Sequence, residues 1–137
     1  MNRKEARENA FLLIFESVAR PDVDKQEIFD IAVNERELTT DDYVKEVYFG
    51  CASHFDEIEE ALDGCLVGWK KNRISCTSMA LLRLGAFELL YKEDIPALVT
   101  INECVELSKK YDDEKTYSFV NGVLNALAEK CGKKNAK

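Results

Sequence analysis

The sequence has few residues that interrupt a helix: its 137 positions hold two prolines and six glycines. Proline removes a backbone donor and glycine costs backbone entropy, so a chain with few of either favours helices. No apolar run approaches the roughly 20 residues of a membrane span. The single histidine, His54, sits near the end of a helical pattern, where no serine or cysteine accompanies it in a nucleophile motif. It reads as a helix-terminus or surface residue. No glycine-rich phosphate loop occurs. Cys51, Cys65, Cys76, Cys104 and Cys131 are too far apart for a zinc knuckle or a dithiol motif, and read as small apolar core residues. Without a secretion signal, reduced thiols in the cytoplasm are expected. The acids Asp56, Glu57, Glu59, Glu60 and Asp63 lack the loop and sharp glycine turn of a hard-cation site, and read as a solvated helix face. These absences argue against an enzyme: no catalytic residue, metal or cofactor is expected.

What is present is 46% apolar and 33% charged residues, a globular composition. The length suits one domain over residues 1–137, with a flexible basic tail from about 132. The net charge of -7 argues against coating nucleic acid by charge alone. The charge is uneven, however. Residues 22–63 hold fourteen acids against three bases, whereas residues 69–92 hold five bases against one acid. Should the N-terminus and the centre of the chain meet in space, an acidic protein would carry a local basic face.

Helical spacing recurs along the whole chain. Asn2 to Glu5 reads as a capping box that opens a helix to about Ala19. Ala6, Ala10, Leu13 and Ser17 form one stripe of it, and Phe11, Ile14, Phe15 and Val18 the next. Pro21 stops it. A short helix follows from Asp24 to about Arg36, a third after Thr39 and Thr40, and a fourth capped by Asp56. Trp69-Lys70-Lys71-Asn72-Arg73 is a basic connector. Ser75 then caps a helix that is apolar almost all round, from Met79 to Leu90, and such a helix is expected at the centre of a core. Pro96 opens a sixth helix as its first residue. A polar link, Asp112-Asp113-Glu114, leads to a last helix with Phe119, Val120, Val123, Leu124 and Leu127 inward. The expected fold is all-α: a bundle of about seven helices around the fifth, with Leu82, Ala86, Leu89 and Val123 buried. Arg83 is expected to pair with Glu88 or Glu103. Asn102 and Asn121 are expected to hydrogen-bond across a helix junction, and Gly122 to permit close packing.

Four segments in order resemble the NusB family over essentially the whole chain. They are Arg3-Lys4-Glu5-Ala6-Arg7-Glu8, Leu82-Arg83-Leu84-Gly85-Ala86-Phe87-Glu88-Leu89, Ile101-Asn102-Glu103-Cys104-Val105-Glu106-Leu107-Ser108-Lys109, and Phe119-Val120-Asn121-Gly122-Val123-Leu124. The resemblance implies a transcription antitermination factor. Such a protein binds boxA-type nascent RNA, pairs with the small-subunit ribosomal protein called NusE, and joins the RNA polymerase elongation complex, notably in ribosomal RNA transcription. It implies an RNA surface of Arg3, Lys4, Arg7, Phe15, Lys115 and Phe119, in which the bases meet phosphates and the rings stack on unpaired bases. From spacing alone, Phe15 and Phe119 also suit a core. The first helix is less basic than the family's richest examples. Cys76-Thr77-Ser78 stands where the family often has an acid. The alternative is a NusB-like RNA-binding or protein-interaction domain, related to the front of certain RNA cytosine methyltransferases but without catalysis. The oligomeric state stays open, a homodimer included.

Overall fold

The computed structural model describes residues 1–133. Seven helices run in the order α1 (Arg3–Ala19), α2 (Lys25–Asn34), α3 (Asp42–Ser53), α4 (Phe55–Asp63), α5 (Cys76–Tyr91), α6 (Ala97–Tyr111) and α7 (Tyr117–Lys130), with a 3-10 turn at Lys71–Arg73. No strand occurs among the described residues.

Local chemistry sets several of the boundaries. The Asn2 side chain accepts from the Glu5 amide at 2.8 Å while Glu5 reaches back to the Asn2 amide, a reciprocal capping box. Ser75 Oγ accepts from the Ser78 amide and opens α5. Other boundaries differ from expectation by a residue or two. Asp41, rather than Thr39 or Thr40, caps α3. Helix α4 begins at Phe55, ahead of Asp56, and has no side-chain cap. Pro96 is the residue before α6, in extended conformation, rather than its first turn.

Helix α5 packs against α1, α3, α4, α6 and α7, and α2 is held through α1. Leu82, Ala86, Leu89 and Val123 are buried in one apolar cluster to which all seven helices contribute. Gly85 allows α7 to approach closely, because a Cβ there would lie 2.8 Å from Leu124 Cδ1. Gly122, expected to serve this purpose, has open space around it. Asn102 and Asn121 are both exposed. Asn121 instead accepts from the Asn125 side chain one turn along its own helix. Arg83 pairs with Glu59 at 2.9 Å, not with Glu88 or Glu103. Cys51 and Cys104 lie in the core as expected, but Cys76 and Cys131 are exposed.

Of the basic tail expected from 132, residues 134–137 lie outside the described residues. Lys133 is not frayed: its Nζ donates to the carbonyls of Glu88 at 3.0 Å and Lys92 at 2.6 Å, and so caps the end of α5.

Candidate nucleic-acid interface

Helix α1 brings two exposed cations to its first turn, Arg3 and Lys4. The Arg3 guanidinium lies over the Tyr43 ring, 4.4 Å from its centroid, a placement the ring's negative face favours. Arg7 behaves differently and corrects the sequence-based expectation. It is 3% exposed, and its Nε donates to Glu88 at 2.8 Å. Burial disfavours the Arg7 charge, but the Glu88 carboxylate outweighs burial and raises its pKa. Tyr43 and Thr100 also donate to the Glu88 carboxylate. Arg7 is thus part of a buried hydrogen-bonded cluster joining α1, α3, α5 and α6, and offers no charge to a phosphate.

One turn past Lys4, Glu8 ties α1 to the end of α6. Its carboxylate accepts from Lys110 at 2.6 Å and from the Tyr111 hydroxyl. The next residue, Asp112, turns the other way and accepts from Ser75 at 2.9 Å at the start of α5. Asp113 then closes the turn, accepting from the Lys115 and Thr116 amides at 3.0 Å each. Tyr111, Asp112 and Asp113, three consecutive residues, therefore tie helix α1, the start of α5 and the α6–α7 turn together.

Lys109 lies over the exposed Tyr117 ring at 4.8 Å. Beyond it, Lys115 and Phe119 line a concavity of about 650 Å³ together with Trp69, Lys70 and Arg73 from the connector. Phe119 is half-buried, and its ring centroid lies 4.7 Å from that of Trp69. The connector's direction depends on Gly68, whose φ of 90° is one that side chains rarely adopt. Lys71 points its charge elsewhere, to Glu59 at 3.1 Å and Asp63 at 2.6 Å.

The structure thus brings Lys115 and Phe119 into one concavity and links them through the α6–α7 turn to the helix that carries Arg3 and Lys4. Phe15 lies elsewhere. It is half-buried and lines a separate apolar groove with Leu12, Ala19 and Leu38. Sequence reasoning left Trp69, Lys70 and Arg73 without a role, although a tryptophan among bases in a connector was a usable signal. No group of three or more His, Cys, Asp or Glu residues placed to hold a metal ion occurs among the described residues.

Glu8 also makes this surface sensitive to acid. The hydrogen bond from Lys110, then that from Tyr111, hold its carboxyl below the ordinary value of 4.5. A group depressed in the folded state stabilises fully above its unfolded pKa, and that contribution fades as pH falls through the folded value. Acid titration followed by circular dichroism is therefore expected to show a loss of stability below about pH 4. Glu8→Gln should flatten that limb; an identical acid limb in the variant would remove Glu8 from the account.

The NusB family model matches residues 4–129. The chain is 38% identical over 136 residues to the transcription antitermination protein NusB of Clostridium botulinum, covering 95% of this chain and 100% of that one. It is 39% identical over 133 residues to the protein of the same name from Bacillus subtilis, covering 93% and 95%. A crystal structure of the antitermination factors NusB and NusE in complex with double-stranded RNA superposes with a TM-score of 0.82 at 31% identity, covering 93% of this chain and 96% of that one.

Proposed function

Because this chain belongs to the NusB family, we propose that it is a transcription antitermination factor that binds boxA-type RNA together with the ribosomal protein NusE. The complex acts on the elongating RNA polymerase, notably on ribosomal RNA genes. The observation that carries this reading is likeness over nearly the whole chain to a protein solved with NusE and RNA. The surface from Arg3 and Lys4 to Lys115 and Phe119 supports it. On a protein of net charge -7, this surface gathers exposed cations beside aromatic rings.

Few cations face outward there, so the protein alone is expected to bind single-stranded RNA weakly. Roughly two to four phosphates would be neutralised, with a slope of log affinity against log salt of about -0.7 for each. NusE is expected to tighten RNA binding about 5- to 150-fold, and RNA to tighten NusE binding by the same factor, as linkage requires. Fluorescence anisotropy of labelled boxA-type RNA, with and without NusE and across a salt series, measures both quantities. Lys4→Gln should flatten the slope by about 0.7. Equal RNA affinity with and without NusE would overturn joint binding. NusE binding with no RNA signal would mark the chain as a protein-interaction module.

A further inference from the structure

We propose that the concavity between the connector and α7 is a pocket for one unpaired nucleotide of RNA. Its base would lie on the Trp69 ring and its phosphate among Lys70, Arg73 and Lys115. The proposal rests on the RNA-binding reading above and adds to it a place, a ligand chemistry and a stacking residue.

Three observations carry it. First, Trp69 is the chain's single tryptophan and is 58% exposed, yet it is not loose. Phe119 supports it at 4.7 Å with the ring planes inclined at 60°, and the Trp69 amide donates to the Leu66 carbonyl at 2.9 Å. A large ring held at a surface with much of its area open is a ready stacking platform, and every base has a π-face to offer it. Second, Lys70, Arg73 and Lys115 line the same concavity, and none forms an ion pair within 4 Å among the described residues. The lining carboxylates, Asp112 and Asp113, accept hydrogen bonds from their own surroundings: Asp112 from Ser75, Asp113 from Thr116 at 2.6 Å. Three cations against two engaged carboxylates leave this patch positive on an acidic protein. Third, a volume of about 650 Å³ falls within the ordinary range of small-ligand sites, roughly 300–1,000 Å³. An aromatic face flanked by unpaired cations fits a nucleotide better than an acidic peptide, which would leave the ring uncovered.

The single tryptophan makes the test direct. RNA binding is followed by anisotropy of a labelled boxA-type strand and, separately, by Trp69 emission, in the presence of NusE and with allowance for NusE's own emission. The proposal expects single-stranded RNA to quench Trp69 while a blunt duplex of the same sequence does not. Trp69→Ala should weaken binding about 5- to 150-fold with an unchanged salt slope, and Trp69→Phe should retain most of the affinity. Lys70→Gln with Arg73→Gln should lower the slope by about 0.7, the share of the one phosphate they hold. Because Trp69 is exposed, its truncation should leave the melting temperature nearly unchanged, and circular dichroism verifies this. RNA that binds normally to Trp69→Ala without altering Trp69 emission in the wild type overturns the pocket and leaves the wider RNA surface standing. Equal quenching by the duplex overturns the unpaired base. Absence of any RNA binding by the wild type with NusE would overturn the wider reading, and the pocket with it.

Discussion

Arg7→Ala is expected to destabilise the protein by about 3–5 kcal/mol, the effect of leaving one member of a buried ion pair without the other. The Arg7 and Glu88 side chains are 3% and 0% exposed, so water cannot replace the lost partner. Glu88 would keep the hydroxyls of Tyr43 and Thr100 but lose its counter-charge. Glu88→Ala should be comparably harmful, since it strands the guanidinium and both hydroxyls. The double change Arg7→Met with Glu88→Leu should recover much of the loss, because a pair of apolar groups needs no desolvation. Urea unfolding of the four proteins measures each term, and a cost under about 1 kcal/mol for Arg7→Ala would show the pair to be structurally idle. The result matters for function as well. Any Arg7 variant that loses RNA binding must first be shown to be folded, because its side chain faces the core.

Leu82→Ala should cost about 2–5 kcal/mol. Leu82 is fully buried in α5, the helix against which five others pack. A cavity there is bordered by several helices at once, and no single neighbour can collapse into it without losing its own contacts. Leu98, on α6 and 44% exposed, provides the contrast. Its truncation should fall within about 0.5 kcal/mol of neutral. Thermal or denaturant unfolding of both variants checks the difference, and a Leu82→Ala protein as stable as the Leu98→Ala one would displace α5 from the centre.

The helices were legible because they are written locally. Spacing of apolar residues, the Asn2–Glu5 box and the Ser75 cap each depend on neighbours a few positions away. The central place of α5 was legible because a helix apolar all round has nowhere else to go. The pairing of polar residues was not, since Arg7 and Glu88 are 81 positions apart. Two signals nevertheless existed. Arg7 stands one turn before Phe11 and continues the stripe of Phe11, Ile14 and Val18, so its position faces inward. Glu88 is the lone acid of α5, and a carboxylate in so apolar a helix requires a buried donor. For the candidate site, the resemblance named Lys115 and Phe119, which share a concavity, but it also named Arg7, which is interior, and Phe15, which lines another groove. Spacing could not settle the aromatics, because a half-buried ring on a helix has the same period whether its free edge meets solvent or a ligand. Trp69 lies in a connector, where periodicity carries no information.

The lysine that caps α5 has a bearing on how the protein is made. Residue 88 receives Arg7 from one side, and its carbonyl receives Lys133 from the other. A nascent chain leaves the ribosome from its N-terminus onward, at about 5–20 residues per second. Arg7 is therefore outside for many seconds before Glu88 can neutralise it, and the end of α5 stays uncapped until residue 133 has emerged. Early helices can form as they appear, but the apolar centre, to which α7 contributes Val120 through Ala128, can close only after that helix has emerged, and the cap on α5 comes last.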